Sequence, residues 1–549
     1  MMAENNPGYY DVVIMGGGLA GLSLALQLKQ LRDSLSILVI EKQFHPVQHS
    51  AHKVGESLVE LSTYYFAETL GLRQHLDDEQ LPKLGLRFFF NPDARNLDNT
   101  ISLEKRLEFG AHLFPPSPSY QLDRGIFENY LGQRCIEQGI SFWSGFNVND
   151  LSISNTEANH TIEVRDISKQ ALINVDAKYV VDASSRASLI KRKLGLSLES
   201  QHKVSAAWFR VDAKISVNDW SEDSEWRDMH PGDNNRWFST NHLMGEGYWV
   251  WLIPLSSGST SIGIVADNNY HDLSAYNNID KAMAWLGEHQ PLCAVKVRPY
   301  LGKVQDFKFL KNFAHDAKQV YSNKRWFLTG EAGSFLDPFY SPGSDIIGIS
   351  NTFVSNIIEA SEKGEDTNGM SFILNLFYLN IIKNTNVVYQ GQYHLFGNPV
   401  VMPVKVLWDF AVYWSFTAFL FIQGLFSDTD RLFALRGDFE LLGEMNGNIQ
   451  QLFSDWGKLD SFATSNDYID PFQFPFLKDL NNNLYKDYEK DEIASVFKEN
   501  LAKLALLQED IAQAAAHYHP QLDISPFAIT GNREQNVILQ LLTRIDKNS

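Results

Sequence analysis

The chain has 549 residues, enough for two or three packed regions, and its 44% hydrophobic and 21% charged content describes an ordinary globular protein. A net charge of −19 excludes nucleic acid as the main partner and argues against holding anionic lipid by charge alone. Two cysteines, Cys135 and Cys293, make neither a disulfide framework nor a metal site, so a reducing cytoplasmic setting and no metal are expected.

The first ten residues, Met1–Tyr10, are polar and lack the basic-then-apolar pattern of a signal peptide. Asp11-Val12-Val13-Ile14-Met15 is short, apolar and β-branched, which predicts a buried parallel strand. Gly16-Gly17-Gly18-Leu19-Ala20-Gly21 follows, then an apolar helical run to about Leu31. In such a loop Gly16 permits the tight turn, Gly18 lets the backbone approach a pyrophosphate, and Gly21 lets helix and strand pack closely. The helix start at Leu19 and Ala20 then offers unpaired N–H groups to phosphates. Leu35–Ile40 reads as a second strand ending in Glu41 and Lys42. A carboxylate here, about 20 residues past the last glycine, accepts ribose hydroxyls. His45, His49 and His52 have spacing that suits a loop better than a metal site.

Val54-Gly55-Glu56-Ser57 precedes a helical pattern over Leu58–Leu72, so Ser57 or Glu56 is a candidate helix cap. Leu81–Phe90 alternates like a strand with Lys83 at its beginning. Tyr120–Arg124 leads into a helical run Gly125–Cys135; a surface ion pair is the bland reading of Arg124. Val180-Val181-Asp182-Ala183-Ser184 is an apolar strand running into a turn of small residues, followed by Ser185 and Arg186. Gly247–Leu255 predicts a strand whose alternation points Trp249 and Trp251 to one face. Trp326–Gly333 is a strand ending at Gly330 and Glu331, and Asp337-Pro338 opens a loop through Ser341-Pro342-Gly343-Ser344 to a helix.

Beyond Asn351 the pattern is helical and aromatic, with runs at Phe353–Lys363, Met370–Ile382, Val404–Phe426 and Glu492–Ala515. Between Asp409 and Asp428 no residue is charged. A buried or pocket-facing helix is the favoured reading, and a helix lying on a membrane the lesser one. Trp408, Tyr413, Trp414 and Phe416 line an aromatic site or form plain core. Asn466–Asn483, rich in Pro, Asp and Asn, reads as a long connection.

Strand, glycine loop, helix, strand and acid in that order predict a dinucleotide site. Three later segments favour FAD. The Asp182 turn resembles the second nucleotide-contact motif of glutathione-reductase-type flavoproteins, with Ser185 where a glycine is usual. The Gly330-Glu331 turn resembles the segment gripping the ribityl and pyrophosphate groups, with Glu331 in place of the usual Asp. The helix after Asp337–Ser344 would face the flavin pyrimidine edge, where negative charge develops on reduction. Arg124 matches the Asp-Arg pair of that fold. No second glycine fingerprint for NADPH is present, which leaves room for a separate flavin reductase.

Residues 11–351 resemble the flavin-dependent halogenases. The elements that carry the likeness are Trp249-Val250-Trp251-Leu252-Ile253-Pro254, Val54-Gly55-Glu56-Ser57, and Lys83 with Gly85 and Phe88 in a Lys-x-Gly-x-x-Phe spacing. The resemblance implies an α/β glutathione-reductase-type FAD-binding (Rossmann-like) fold over 1–350. It implies an inserted mixed β-sheet substrate region (about 83–120 and 195–300) and a helical C-terminal region, 351–549, over the substrate site. It further implies noncovalent FAD used as FADH2, O2 and chloride or bromide, acting through a flavin hydroperoxide and hypohalous acid. Lys83 would hold that acid by hydrogen bond or as a haloamine, and burial in an apolar tunnel would favour its neutral amine. Trp249, Trp251, Pro254 and Tyr340 would shape the substrate tunnel. In tryptophan halogenases the loop reads Asp-Pro-Leu-Glu-Ser-Thr-Gly; here Tyr340 and Pro342 replace the glutamate and threonine. Proline has no N–H for halide, so Ser341, Gly343 and Ser344 are the expected halide contacts. A phenol-like aromatic, free or carrier-bound, is then the expected substrate rather than tryptophan. A flavin monooxygenase of aromatic or lipid-like compounds is the alternative, followed by a reductase of isoprenoid (geranylgeranyl-type) double bonds; a non-enzymatic flavin binder is weakest.

Overall fold

The computed structural model describes residues 8–48, 54–93, 101–230, 235–459, 463–527 and 536–546. His49, His52 and most of Met1–Tyr10 lie outside the described residues.

Two sheets organise the described chain. The first has seven strands. Its parallel part runs Ser141–Ser144, Ile37–Glu41, Tyr9–Met15, Leu172–Asp182 and Trp326–Leu328. Val12, Val13, Ile14, Leu38 and Val39 are fully buried, as a parallel sheet covered on both faces requires. The N-terminal half of Leu172–Asp182 turns to antiparallel partners, His160–Asp166 and then Phe146–Ser152. Helices Leu19–Leu31 and Gly343–Glu362 pack together against this sheet. Buried Asn351 ties them, donating to Ala20 O and Ser23 Oγ on one helix and Tyr65 Oη beside it while accepting from Thr329 Oγ1. Satisfying a buried amide from three segments fixes their relative positions.

The second sheet has eight strands, in the order Val304–Leu310, Val204–Val211, Thr260–Asp267, Tyr248–Pro254, Thr240–Gly245, Leu86–Phe90, Leu107–Phe109 and Tyr468–Ile469. Strand alternation divides its residues between two cores. Tyr248, Val250 and Leu252 join the core under helices Ile279–His289 and Pro291–Val297. Trp249, Trp251 and Phe88 face the other way, into the larger core that contains Phe339.

Several elements differ from the sequence expectation. Leu81–Phe90 is not one strand: Leu81–Pro82 and Leu86–Phe90 are separated by a turn in which Gly85 takes φ +82°. That turn, where a side chain would be strained, carries Lys83. The run Leu58–Leu72 holds a short helix, Glu60–Tyr64, and a π-turn, Tyr65–Thr69. The helix starts too late for Ser57 or Glu56 to cap it. Asn466–Asn483 contains the last strand of the second sheet and helix Pro475–Asn482, because its aromatic residues find core to fill. The uncharged run Phe410–Ser427 continues through the short turn Leu425–Ser427, past the end of the segment Val401–Ile422, two helices broken at Phe416 (φ −122°, ψ −83°). That segment is long and apolar enough to cross a membrane, but 78% of its most apolar window is buried in the protein, so it is core.

Candidate active site

The glycine loop and the two helix starts enclose a cavity of about 720 Å³. Gly16 sits at φ +122°, and a Cβ there would come within 2.2 Å of Ala183 O. Neither Leu19–Leu31 nor Gly343–Glu362 has a side chain capping its first N–H groups, so those donors are free for an anionic ligand. Gly16, Gly18, Leu19, Ala20, Glu41 and Lys42 line one part of the cavity. Ser57, Arg124, Gly330, Glu331 and Asp337 line its body, and Ser341, Gly343, Ser344, Trp249 and Trp251 another part. A narrow glycine cradle, two uncapped helix starts and a carboxylate at the second strand end together fit a dinucleotide.

A second, smaller cavity of about 130 Å³ lies beside the first, and Pro342 and Ile346 line both. Lys83 is in its wall and only 1% exposed. Its backbone N–H donates to Ser119 O at 2.8 Å and its Nζ to Leu58 O at 2.7 Å. Burial pushes its ammonium down to about 8, while Glu60 and Asp345 pull the other way. Burial pushes Asp345 up to about 7 and raises Glu60 as well. Tyr340 donates to Asp409 Oδ2 at 2.8 Å, and Asp409 also accepts from Lys405 (2.8 Å) and Gln450 (2.7 Å).

A buried chain of hydrogen bonds joins the tryptophan strand to the loop between the cavities. Trp249 Nε1 donates to Tyr393 Oη at 3.0 Å, and Tyr393 donates to Asp337 Oδ2 at 2.6 Å. His202 Nε2 meets the same carboxylate oxygen at 2.7 Å. Charge-assisted bonds of this kind hold geometry well.

The sequence family described as FAD binding domain matches residues 9–284, half of the 549-residue chain. The chain belongs to this FAD-binding family. The flavin-dependent halogenase chlA of Dictyostelium discoideum is 26% identical over 444 residues, covering 75% of this chain and 71% of that one. A chlorinase of 1H-pyrrole-2-carbonyl-(peptidyl-carrier protein) from Pseudomonas fluorescens is 26% identical over 402 residues, covering 68% and 80%. The halogenase PltM shares the fold at a TM-score of 0.63 and 16% identity, covering 91% of this chain and 96% of that one. These relatives bear out the halogenase resemblance, and the cofactor is FAD.

Most expected cofactor contacts line the FAD cavity, Lys83 and Tyr340 line the smaller one, and three of the expected site residues line neither. The Asp182 carboxylate faces inward, accepting from Ser184 N, Ser184 Oγ and Ile190 N, so it orders the turn whose Ser184 and Ser185 line the cavity. Gly21 lies against Gly16, where a Cβ would meet Gly16 O at 1.9 Å; it serves helix–strand packing. Pro254 ends its strand, buried but in neither cavity wall. Arg124 combines both readings: it lines the FAD cavity and pairs with Glu128 at 2.5 Å while donating to Val54 O. Glu41 receives Gly17 N and Gln43 N, both at 2.8 Å. Sequence reasoning missed Glu60, Asp345, Asp409 and Tyr393. Glu60 and Asp345 stand only three and two residues beyond the quoted Ser57 and Gly343, so extending each motif by one helical turn would have found them.

Proposed function

We propose that this FAD-dependent halogenase chlorinates or brominates a phenol-like aromatic ring, free or tethered to a carrier, with Lys83 holding and aiming the hypohalous acid. The observation that carries the reading is the buried Lys83 in a small chamber that shares the Pro342–Ile346 wall with the FAD cleft. FAD, reduced and met by O2, supplies the oxidising equivalents for halide. The protein's part is to keep ring and cofactor apart and to hold the electrophile. The Ser341, Gly343 and Ser344 N–H groups at the helix start are the proposed halide contacts, since Pro342 has none to give. Trp249 and Trp251, locked by Tyr393 and Ser261 Oγ, shape the wall. Tyr340, held by Asp409, gives the chamber a phenol where a glutamate would suit an indole.

A separate flavin reductase would deliver the reduced cofactor. The carrier-bound option rests on the Pseudomonas chlorinase and on a brominase of the same carrier-bound pyrrole class in Pseudoalteromonas luteoviolacea, 25% identical. We infer the division 1–350 and 351–549 as FAD-binding part and substrate cover, although Tyr468–Ile469 from the second part completes the inserted sheet.

The test supplies protein, FAD, a flavin reductase, NADH and O2 to phenols, pyrroles and indoles with and without chloride or bromide, and reads halogen isotope patterns by mass spectrometry. Halogenated phenols are expected, reduced about a thousandfold in Lys83→Ala. Oxygenated product independent of halide would instead identify a monooxygenase.

A further inference from the structure

Ring halogenation of a phenol releases a proton, and three carboxylates, Glu60, Asp345 and Asp409, line the chamber that holds Lys83. Their surroundings assign them different work. Asp409 is neutralised by Lys405 one helical turn away and is saturated by Gln450 and Tyr340. Glu60 is buried and accepts from Asn481 Nδ2 at 3.4 Å, a longer bond than those that fix Asp345, and like Asp345 it opposes the Lys83 charge. Asp345 accepts only neutral donors, Ser62 N at 2.9 Å on one oxygen and Tyr413 Oη at 2.8 Å on the other. Each oxygen keeps a second lone pair. The carboxylate is held from three directions: its own helix Gly343–Glu362, the short helix Glu60–Tyr64 and helix Val401–Ser415. It sits in the first turn of its helix, where the positive dipole end supports a carboxylate. It also follows Pro342-Gly343-Ser344 directly, at the wall between cofactor and chamber.

Resting on the halogenase reading, we infer that Asp345 is the general base that takes the substrate's phenolic proton. The phenol O–H bond breaks and its proton passes to the Asp345 carboxylate. The ring carbon uses the released electron density to form its bond to the halogen of hypohalous acid. The halogen–oxygen bond breaks, and the departing hydroxide takes a proton from the Lys83 ammonium and leaves as water. The halogenated dienone then loses its ring proton to the Lys83 amine while its oxygen recovers the proton from Asp345. The sum is phenol plus hypohalous acid giving halophenol plus water, with both residues restored. A group positioned by two fixed donors beside the electrophile's lysine is suited to this transfer.

The experiment compares the wild type, Asp345→Asn and Glu60→Gln on two phenols, one neutral at the assay pH and one fluorinated and already ionised. Asp345→Asn should lose about a hundredfold on the neutral phenol and less than about threefold on the ionised one. A merely structural carboxylate would lose equally on both. Equal losses, or wild-type rates on the neutral phenol, would overturn the assignment, as would the selective loss appearing in Glu60→Gln instead. If Asp345→Asn fails to bind FAD, Tyr413→Phe carries the same comparison: about a tenfold loss confined to the neutral phenol supports Asp345, and an equal loss on both overturns it. Failure of the wild type to halogenate any phenol would instead reject the phenol substrate on which this inference rests.

Discussion

The FAD cleft and the Lys83 chamber share a wall but are built from opposite materials. The cleft recognises through backbone: Gly16 against Ala183, two uncapped helix starts, and a Glu41 carboxylate already steered by Gly17 and Gln43 N–H groups. The chamber works through buried ionisable side chains that depart from their ordinary protonation, Lys83 downward and Glu60 and Asp345 upward. Backbone recognition needs close approach and tolerates no added atoms. Side-chain chemistry needs dryness, which makes each charge sensitive to its neighbours. Losing a cleft residue should therefore abolish cofactor binding and all turnover, whereas losing a chamber residue should leave oxygen consumption and remove halogen transfer.

The largest way to break the contrast is at Gly16. Gly16→Ala must push against Ala183 O and hold a residue at φ +122°, a strain worth roughly 1–3 kcal/mol before the clash is added. FAD affinity should fall by at least about a hundredfold, read by fluorescence titration. Retained affinity would show that the loop does not grip the cofactor.

A second test sharpens the chamber side. Asp345 must be ionised to act as base, so kcat/KM for a neutral phenol should rise through about pH 7; Lys83 must be an ammonium to donate, so it should fall above about pH 8. The expected profile is a narrow bell, and Asp345→Asn should remove its lower limb only. A profile that keeps rising above pH 8 would favour the haloamine route, in which the neutral lysine amine acts.

The smallest expected effect is at the bond chain that ties the tryptophan strand to the loop between the two regions. Tyr393→Phe deletes the hydroxyl between Trp249 and Asp337, leaving both without that partner at a cost of about 1–3 kcal/mol in thermal or denaturant stability. FAD binding should persist. Product formed per O2 should drop as Trp249 loses its anchor, and an unchanged ratio would limit Tyr393 to a structural role.

What could be read from the sequence follows the same division. Glycine spacing and strand patterning announce the cleft, because backbone geometry demands particular residues at fixed offsets. Even there Asp182 misled: its carboxylate turns inward to its own loop, a distinction spacing does not encode. The chamber was legible at Lys83 and Tyr340, through resemblance, and in the aromatic cluster of Tyr413, Trp414 and Phe416, which lines it while Trp408 does not. Glu60 was hidden in what reads as one continuous helix, Asp345 stood just past the halide loop, and Asp409 borders an apolar run that suggests core or membrane. Those groups meet only by packing of segments hundreds of residues apart, which no local pattern records.

The most direct measurement is the ratio of halogenated phenol formed to O2 consumed in Lys83→Ala beside the wild type, with FAD, reductase, NADH and bromide present. The account predicts that O2 consumption persists and the ratio collapses. An unchanged ratio would remove Lys83 from halogen transfer, and loss of O2 consumption together with product would mean that cleft and chamber are not separate devices.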